Sequence, residues 1–271
     1  DVLRWWVSSL AYDNDVKVDH EFFGTAGESY RKVRNTIRFM LSNLDGFDLT
    51  RDGVALESIE PTSLDAWAIS ELDKLTGTVV EAYEKYQFKS VHTSVYNFCN
   101  DTLSSVYLAA VKDRLYCDAV DSPRRRRTQT VLYRMADQLC RLLAPILCHT
   151  ADEAYRSLTG DENACVHLIE VLPMSGVRVS EAWAAAIDAR DAGLLALEGS
   201  KAQGIENPLD AGITLPDAKG VLSALDTVDL ADLMGVSEVT LDAKAEKPVV
   251  HDLRERERCE RSWKRDGTVK E

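Results

Sequence analysis

The 271-residue sequence lacks paired cysteines, long apolar runs and glycine-rich phosphate loops. Its six cysteines form no CxxC pair, which is typical of reduced thiols in a cytoplasmic protein rather than of a disulfide framework. No apolar run approaches the roughly 18–20 residues that a membrane-spanning helix needs, so we expect no membrane partner. No GxGxxG or GxxxxGK motif occurs, and the five histidines form no HxxxH or HExxH pair. These absences argue against a nucleotide-binding loop, a histidine metal site and a catalytic triad.

The chain is strongly acidic, with a formal net charge of −13 and a pI of about 4.9. Proteins bind nucleic acid by neutralising its phosphates with lysine and arginine, and a molecule of this net charge does not attract RNA through its overall field. Any RNA binding must therefore depend on local clusters of cations. Two such clusters occur, one around residue 35 and one around residue 125.

Hydrophobic spacing predicts a mainly α fold with a small α+β part towards the end of the chain. Almost no segment of residues 1–160 alternates with period two, and we expect this region to be a helix bundle. The predicted organisation is a helical domain at 1–175, a small α+β domain at 176–250 and a charged, mobile tail at 251–271. The predicted helices are a helix end at about 1–12, then 20–44, 63–86, 91–111, 128–148, 151–158, 181–201 and 218–225, and the predicted strands are 211–215 and 237–241.

The first basic cluster lies on one side of a predicted amphipathic helix, YRKVRNTIRFMLSNL at 30–44. Apolar residues recur from Val33 at i, i+4, i+7, i+8 and i+11, which places them on about one third of the circumference. The opposite side is usually only a solvated face. Here, however, no carboxylate lies four residues from an arginine within it, and arginine with asparagine commonly contacts phosphates and base edges. The candidate RNA-binding residues of this segment are Arg31, Lys32, Arg34, Asn35 and Arg38.

The second basic cluster is SPRRRRTQTVLYRM at 122–135. Ser122 and Pro123 resemble an N-cap and a first helical residue, which would place four arginines at a helix N-terminus, where the helix dipole disfavours cations. A helix that begins near Thr128 would instead leave them in the preceding loop. Either arrangement brings like charges together, and a bound anion or the protein's own carboxylates would relieve the repulsion. The candidate residues are Arg124, Arg125, Arg126 and Arg127.

Several segments, in order along nearly the whole chain, resemble the anticodon-binding region of bacterial-type isoleucyl-tRNA synthetases, which are class I aminoacyl-tRNA synthetases. They are DVLRWWVSSLAYDNDVKV, YRKVRNTIRFMLSNL, LDAWAISEL, AYEKYQF, NFCNDTLSSVYL, KDRLY, RRRTQTVLY, LLAPILCHTADEAY, GIENPLDAGITL and VSEVTL. Ala66 departs from the pattern, because the family usually has arginine there. The resemblance implies a C-terminal fragment, with an anticodon-binding helical bundle followed by a small α+β junction domain.

The resemblance also implies the activity of a longer protein, a ligase that joins isoleucine to its tRNA with ATP and Mg²⁺. The first residues include no initiator methionine and no signal-peptide features, and the KMSKS and HIGH motifs of a class I catalytic core do not occur. We therefore expect this fragment to be inactive alone, to be a monomer and to work with the missing catalytic and editing domains. Arginines of both clusters would clamp phosphates of isoleucine tRNA, and Asn35 would contact splayed anticodon bases.

The last residues depart from the family at a metal site. The family commonly ends in a zinc-binding module with two CxxC pairs, the first of them CERCW, whereas this chain has CERSW. Cys259 is kept, and Ser262 replaces its partner. A tetrahedral structural zinc needs four ligands, and one thiolate does not hold it. We expect no metal and no cofactor in this fragment, with Cys259 a lone remnant of a degenerate zinc-binding module.

A function of another class stays open, a helical protein-interaction scaffold without RNA affinity of its own. In this alternative the arginines pair with the protein's own carboxylates. The acidic segment 205–246, with nine carboxylates against Lys219 and Lys244, would then bind a protein partner. A contiguous basic groove that joins the two clusters would favour RNA, and separate neutralised patches would favour the scaffold.

Overall fold

The structure is a computed structural model and describes residues 1–13, 15, 16, 18, 20–265 and 267. Contacts divide these residues into two units. The first contains Asp1–Ser58, Ala68–Ser105 and Val120–Val177, and the second contains Ile59–Trp67, Val106–Ala119 and the described residues from Arg178 onward. No helix formed by the described residues is long and apolar enough to cross a membrane.

Helices dominate the described part of the chain, and the predicted mainly α fold class with a small α+β part is confirmed. The helices are α1 (Val2–Ser8), α2 (His20–Ser42), α3 (Leu49–Asp52), α4 (Leu64–Glu84), α5 (Phe88–Asn97), α6 (Leu108–Cys117), α7 (Pro123–Leu143), α8 (Cys148–Thr159), α9 (Ala182–Ser200) and α10 (Thr227–Met234). A π-helical segment, Phe98–Tyr107, joins α5 to α6, so the helix predicted at 91–111 is not one regular α-helix.

In the first unit, α2 packs against both α7 and α8, and α7 packs against α8. Val33, Ile37 and Met40 of α2 are buried, as the spacing of apolar residues predicted. Burial of one such side chain is worth about 1.5–3 kcal/mol, which is several times the differences in helix propensity between ordinary residues. Packing of this apolar side therefore fixes the rotation of α2 and directs its polar side outward.

The second unit contains a three-stranded sheet in the order β2-β1-β3. Its strands are β1 (Ala211–Pro216), β2 (Glu238–Asp242) and β3 (Val249–Asp252). β1 and β2 are parallel, with Ile213 opposite Val239, whereas β1 and β3 are antiparallel, with Ile213 opposite Val250. A parallel pair needs a crossover connection, and α10 supplies it. The helix α9 packs on this sheet through contacts with β1 and β3.

The helix predicted at 218–225 is wrong, because only a short 3₁₀ turn, Leu222–Ala224, forms there. The Asp217 carboxylate accepts hydrogen bonds from two backbone N–H groups of this segment, at 3.1 and 2.9 Å, and folds it into a turn. The helix α10 begins instead after Asp226, whose side chain accepts the backbone N–H two residues later at 2.8 Å. A side-chain oxygen at the N-cap satisfies a donor that the helix itself leaves unpaired.

The boundaries of α7 also differ from the predicted range of 128–148. The helix begins at Pro123 with Ser122 as its N-cap, which is the first of the two alternatives raised by the sequence. It ends at Leu143, shortly before Pro145. Proline lacks a backbone N–H and its ring clashes with the preceding turn, so the helix stops earlier than predicted.

The strand β3 was not predicted, and it crosses the expected boundary at residue 250, since His251 pairs with Gly212 of β1. Further along, the Lys264 ammonium donates to Asp232 at 2.5 Å and the Arg265 guanidinium donates to Asp210 at 2.6 Å. The segment that was predicted to be a mobile charged tail is therefore attached to the second unit as far as Arg265.

A buried arginine lies in the core of the second unit. Arg114 of α6 is 1% exposed, and its guanidinium nitrogens lie 2.7 Å from a carboxylate oxygen of Asp232, 2.8 Å from Asp229 and 3.4 Å from Asp65. The Tyr107 hydroxyl donates a further hydrogen bond to Asp65 at 2.6 Å. Buried charges persist only where such partners replace the lost water, and this cluster meets that condition.

Candidate nucleic-acid interface

The first predicted cluster lies on the side of α2 opposite the buried apolar residues. Arg31, Asn35 and Arg38 are exposed, and Arg34 is half-buried beside them. Residues four and three apart share one side of a helix, so these four side chains form a single surface, here called the α2 cationic face. Lys32 is also half-buried and lies at the edge of this face, because successive residues are about 100° apart around the axis.

The arginines of the α2 cationic face differ in their partners. Arg31 forms an ion pair with Glu28, three residues earlier, whereas the sequence prediction considered only carboxylates four residues away. Both side chains are exposed, and such helical pairs contribute only about 0.2–0.5 kcal/mol. Within the described ranges of the chain, neither Arg34 nor Arg38 forms an ion pair with a carboxylate. Among the described residues, no carboxylate therefore neutralises these two guanidinium groups.

Arg34 and Arg38 line a cleft of about 350 Å³ between α2 and α8. The apolar part of the lining comes from Ile37, Leu41 and Ala154, and the polar part includes Ser42, Thr150, Glu153 and Ser157. Sequence reasoning missed the contribution of α8, whose segment HTADEAYRS has no feature that distinguishes it from an ordinary amphipathic helix. A lining that combines apolar side chains with two guanidinium groups and the Glu153 carboxylate suits a planar, polar group.

The second predicted cluster occupies the first turn of α7. Arg124, Arg125, Arg126 and Arg127 are all half-buried. The Arg126 guanidinium lies 3.4 Å from the Asp52 carboxylate, donates to Gln129 Oε1 at 3.1 Å and lies over the Phe47 ring at 5.8 Å from its centroid. The other three arginines also interact within the protein. This cluster is therefore at least partly neutralised internally.

Asp52 was not among the predicted site residues, and tertiary folding brings it to the α7 arginines. A side-chain hydrogen bond from Arg51 is the main reason that the pKa of Asp52 lies well below its usual range. A backbone hydrogen bond from Asp48 and the nearby charge of Arg126 lower this pKa further. The carboxylate therefore stays ionised and available to Arg126 at any pH at which RNA binding is measured.

Cys259 lies in a folded turn. Its backbone N–H donates to the Lys264 carbonyl at 2.9 Å, and its carbonyl accepts from the Trp263 N–H at 2.9 Å. The Ser262 N–H points to the Cys259 sulfur at 3.5 Å. Cys259 does not belong to a cluster of three or more metal-ligating side chains among the residues that the structure describes.

The amino-acid sequence of this chain is similar to those of known tRNA ligases. Residues 65–193 match the family described as the anticodon-binding domain of tRNA ligase. The chain is 38% identical over 275 residues to an isoleucine–tRNA ligase of Exiguobacterium sibiricum, which covers 97% of this chain and 30% of the relative. It is 37% identical over 294 residues to the one of Desulfitobacterium hafniense (100% and 32%) and 37% identical over 287 residues to the one of Bacillus mycoides (99% and 31%). The chain thus spans about 30% of the length of these curated relatives.

Proposed function

Because this chain belongs to the isoleucine–tRNA ligase family, of which it contains the anticodon-binding domain, we propose that it binds the anticodon stem and loop of isoleucine tRNA. The longer protein would ligate isoleucine to this tRNA with ATP and Mg²⁺, through catalytic residues that lie outside these 271 residues. This chain alone would position the RNA as a monomer and would not activate isoleucine. The lone Cys259 would hold no structural zinc.

The observation that carries this proposal is the pair Arg34 and Arg38. Both line the cleft between α2 and α8, and neither is neutralised by a described carboxylate. An unpaired guanidinium in an acidic protein gains more from a phosphate than a paired one does, since no internal ion pair must break first. Hydrogen bonds to charged groups contribute about 1.5–3 kcal/mol each, so two such contacts would matter to affinity.

The residues of the α2 cationic face and the adjoining cleft would have different roles in RNA binding. Arg31, Arg34 and Arg38, with Lys32 at the edge, would hold phosphates and set the register of the RNA. Asn35 lies between them on the same face and offers both an amide donor and an acceptor to a base edge. The cleft would take an unstacked base, since specific RNA recognition usually targets bases that are splayed out of a loop.

The four arginines at the start of α7 would form a second, weaker phosphate contact. Arg124, Arg125 and Arg127 share the first turn with Arg126, and each of these residues is only half-buried. The internal contacts of Arg126 with Asp52 and Phe47 reduce its contribution to RNA binding. We therefore rank this cluster below the α2 cationic face.

The scaffold alternative draws support from the ion pair between Arg126 and Asp52 and from the net charge of −13. In this alternative the arginines are structural, and the carboxylates of the second unit bind a protein partner. The two functions differ in salt dependence. RNA binding through phosphates weakens steeply with salt because counterions are released, whereas a scaffold would show no affinity for tRNA at any salt concentration.

The test is a titration with isoleucine tRNA and with a non-cognate tRNA at two salt concentrations. Wild type is compared with Arg34→Ala/Arg38→Ala and with the charge-matched control Lys74→Ala/Lys85→Ala, whose lysines are exposed and paired with glutamates on α4. We expect the arginine variant to lose about tenfold or more in affinity and about one unit of salt slope per lost phosphate contact. The lysine control should change little.

Equal affinity of wild type and the arginine variant for the cognate tRNA would contradict the proposed role of the α2 cationic face. Absence of binding by wild type even at low salt would favour the scaffold for this chain in isolation. An assay of isoleucine-dependent ATP–pyrophosphate exchange, run alongside, should give only background because the chain contains neither KMSKS nor HIGH.

A further inference from the structure

Three side chains that can bind a metal converge at the N-terminus of α8. They are Asp1, Cys148 and His149, and their ligating atoms all lie within 4.8 Å of one another. Cys148 Sγ lies 3.8 Å from Asp1 Oδ1. In the sequence, Cys148 and His149 are adjacent. The folded chain adds a third ligand from a residue 147 positions earlier.

The Asp1 carboxylate is held in place through one of its oxygens. Asp1 Oδ2 accepts hydrogen bonds from the Thr150 backbone N–H at 2.7 Å and from its hydroxyl at 2.6 Å. Among the described residues, the contacts of Asp1 Oδ1 are the Cys148 thiol at 3.8 Å and the His149 backbone N–H at 3.4 Å. One oxygen therefore caps α8, and the other lies near the Cys148 sulfur and the His149 backbone N–H.

Neighbouring contacts fix the starts of α1 and α8, where these ligands lie. Arg4 of α1 donates to the backbone carbonyls of Pro145 at 2.6 Å and Ile146 at 2.8 Å, directly before α8. The His167 ring lies 3.1 Å from the Cys148 carbonyl. Supporting hydrogen bonds of this kind hold ligands in place and strengthen metal binding.

The ligand set selects a class of metal. A thiolate, an imidazole and a carboxylate together suit Zn²⁺ and similar transition metals rather than Mg²⁺ or Ca²⁺, which prefer oxygen ligands. In a tetrahedral zinc site the ligand atoms are about 3.3–3.8 Å apart, from metal–ligand distances of about 2.0–2.3 Å. The longest distance between the three ligand atoms must therefore shorten by about 1 Å for all of them to reach one metal ion. A change of side-chain rotamer at the exposed His149 is enough for this.

Charge decides whether the end of a helix tolerates a cation. The dipole at the N-terminus of α8 disfavours positive charge. The Cys148 thiolate and the Asp1 carboxylate together supply two negative charges, which balance a divalent ion. Binding would release the thiol proton of Cys148 to solvent, because thiolate rather than thiol is the ligand.

We propose that Asp1, Cys148 and His149 bind Zn²⁺, with water at the fourth position, and that the metal fastens the start of α1 to α8. This site shares no residue with the α2 cationic face and does not depend on the proposed RNA binding. Thr150, which holds the Asp1 carboxylate, also lines the cleft beside that face. It also differs from the degenerate zinc module around Cys259, with which it shares no residue. The proposal reverses the sequence-based expectation that this chain holds no metal.

The test is a titration of the reduced, metal-free 271-residue chain with Co²⁺, which reports thiolate ligation by a charge-transfer absorption band. We expect saturable binding at one equivalent, displacement of Co²⁺ by Zn²⁺ and no displacement by excess Mg²⁺. Cys148→Ser should abolish the band, and Asp1→Asn and His149→Ala should each weaken binding by about tenfold or more. Cys165→Ser, another half-buried cysteine of the first unit, is the matched control and should bind as wild type.

Two further measurements exclude ligation by the terminal amine and misfolding of the Cys148→Ser variant. A chain with two extra residues before Asp1 should retain the band, because the ligand is the side chain and not a terminal amine. Zn²⁺ should raise the Tm of wild type but not of Cys148→Ser, and circular dichroism without metal should show that both fold alike. Absence of the band in wild type, its persistence in Cys148→Ser or its loss in the extended chain would each overturn the proposal.

Discussion

The two units of this protein use arginine in opposite ways. In the second unit, Arg114 is 1% exposed and contacts three aspartates. In the first unit, Arg34 and Arg38 line an open cleft and form no ion pair with a described carboxylate. The side chain is the same, and only its surroundings differ. The burial of an arginine and the number of its carboxylate partners therefore distinguish a structural cation from one that is available to a ligand.

Electrostatics supports this separation for Arg114. Burial acts to lower its pKa, but the carboxylates of Asp65, Asp229 and Asp232 act in the other direction, and the net pKa of Arg114 lies above its ordinary value. The guanidinium is charged at every accessible pH, and its two terminal nitrogens lie against those carboxylates. A charge that is held in this way stabilises the fold and cannot serve RNA, whereas an unpaired charge on a helix surface can.

The largest expected effect is on the buried arginine. Arg114→Met leaves aspartates buried with reduced compensation, and removal of one partner from a buried ion cluster typically costs about 3–5 kcal/mol. Denaturant unfolding monitored by circular dichroism should show a loss of this size. Neutralisation of the acids as well, in Arg114→Met/Asp229→Asn/Asp232→Asn, should recover part of it, because fewer unpaired charges then stay buried. A cost below about 1 kcal/mol for Arg114→Met would show that the cluster is not structural.

An intermediate effect is expected at the start of α7, where Arg126 is half-buried and has internal partners. Arg126→Ala removes its contacts with Asp52, Gln129 and Phe47 and should lower the Tm by roughly 2–4 °C. Arg51→Ala is the matched control, since Arg51 also contacts Asp52 but is exposed, and its effect should be smaller. Equal Tm values for Arg126→Ala and wild type would show that Arg126 does not stabilise the fold and that it resembles Arg34 and Arg38 instead.

A half-buried histidine, His92, sharpens the comparison further. Burial lowers the pKa of His92 to about 4, and its ring lies 4.0 Å from that of Trp5. The unfolded chain has a histidine pKa of about 6.5, so between these values the unfolded state binds more protons and stability falls as pH falls. His92→Phe should reduce this dependence between pH 6.5 and 4, as measured by urea midpoints. An unchanged pH profile would rule out His92 as its source.

The smallest effect on stability is expected on the α2 cationic face. Arg34→Ala and Arg38→Ala should each change the free energy of unfolding by no more than about 0.5 kcal/mol, as surface substitutions usually do. The same variants should weaken tRNA binding, so stability and affinity separate at these positions. A loss above about 1 kcal/mol from either substitution would mean that the arginine has a structural partner after all.

Much of the fold follows from local patterns. The spacing of Val33, Ile37 and Met40 predicted both α2 and the outward direction of its cations, because a 3.6-residue period is a property of neighbouring residues. Helix ends were less predictable. The helix α10 was missed because Asp217 folds the predicted segment into a turn and Asp226 caps a later helix. The strand β3 is short, and only its pairing with β1 defines it.

The sequence by itself determined the helical architecture, the amphipathic α2 and the presence of two arginine clusters, since composition and periodicity are local. Tertiary structure alone decided which arginines have partners. Arg126 meets Asp52 across 74 positions, Arg114 meets Asp229 across 115, and Asp1 meets Thr150 across 149. No periodicity encodes such pairs, because they form only when burial of the apolar faces closes the chain and brings distant segments into contact.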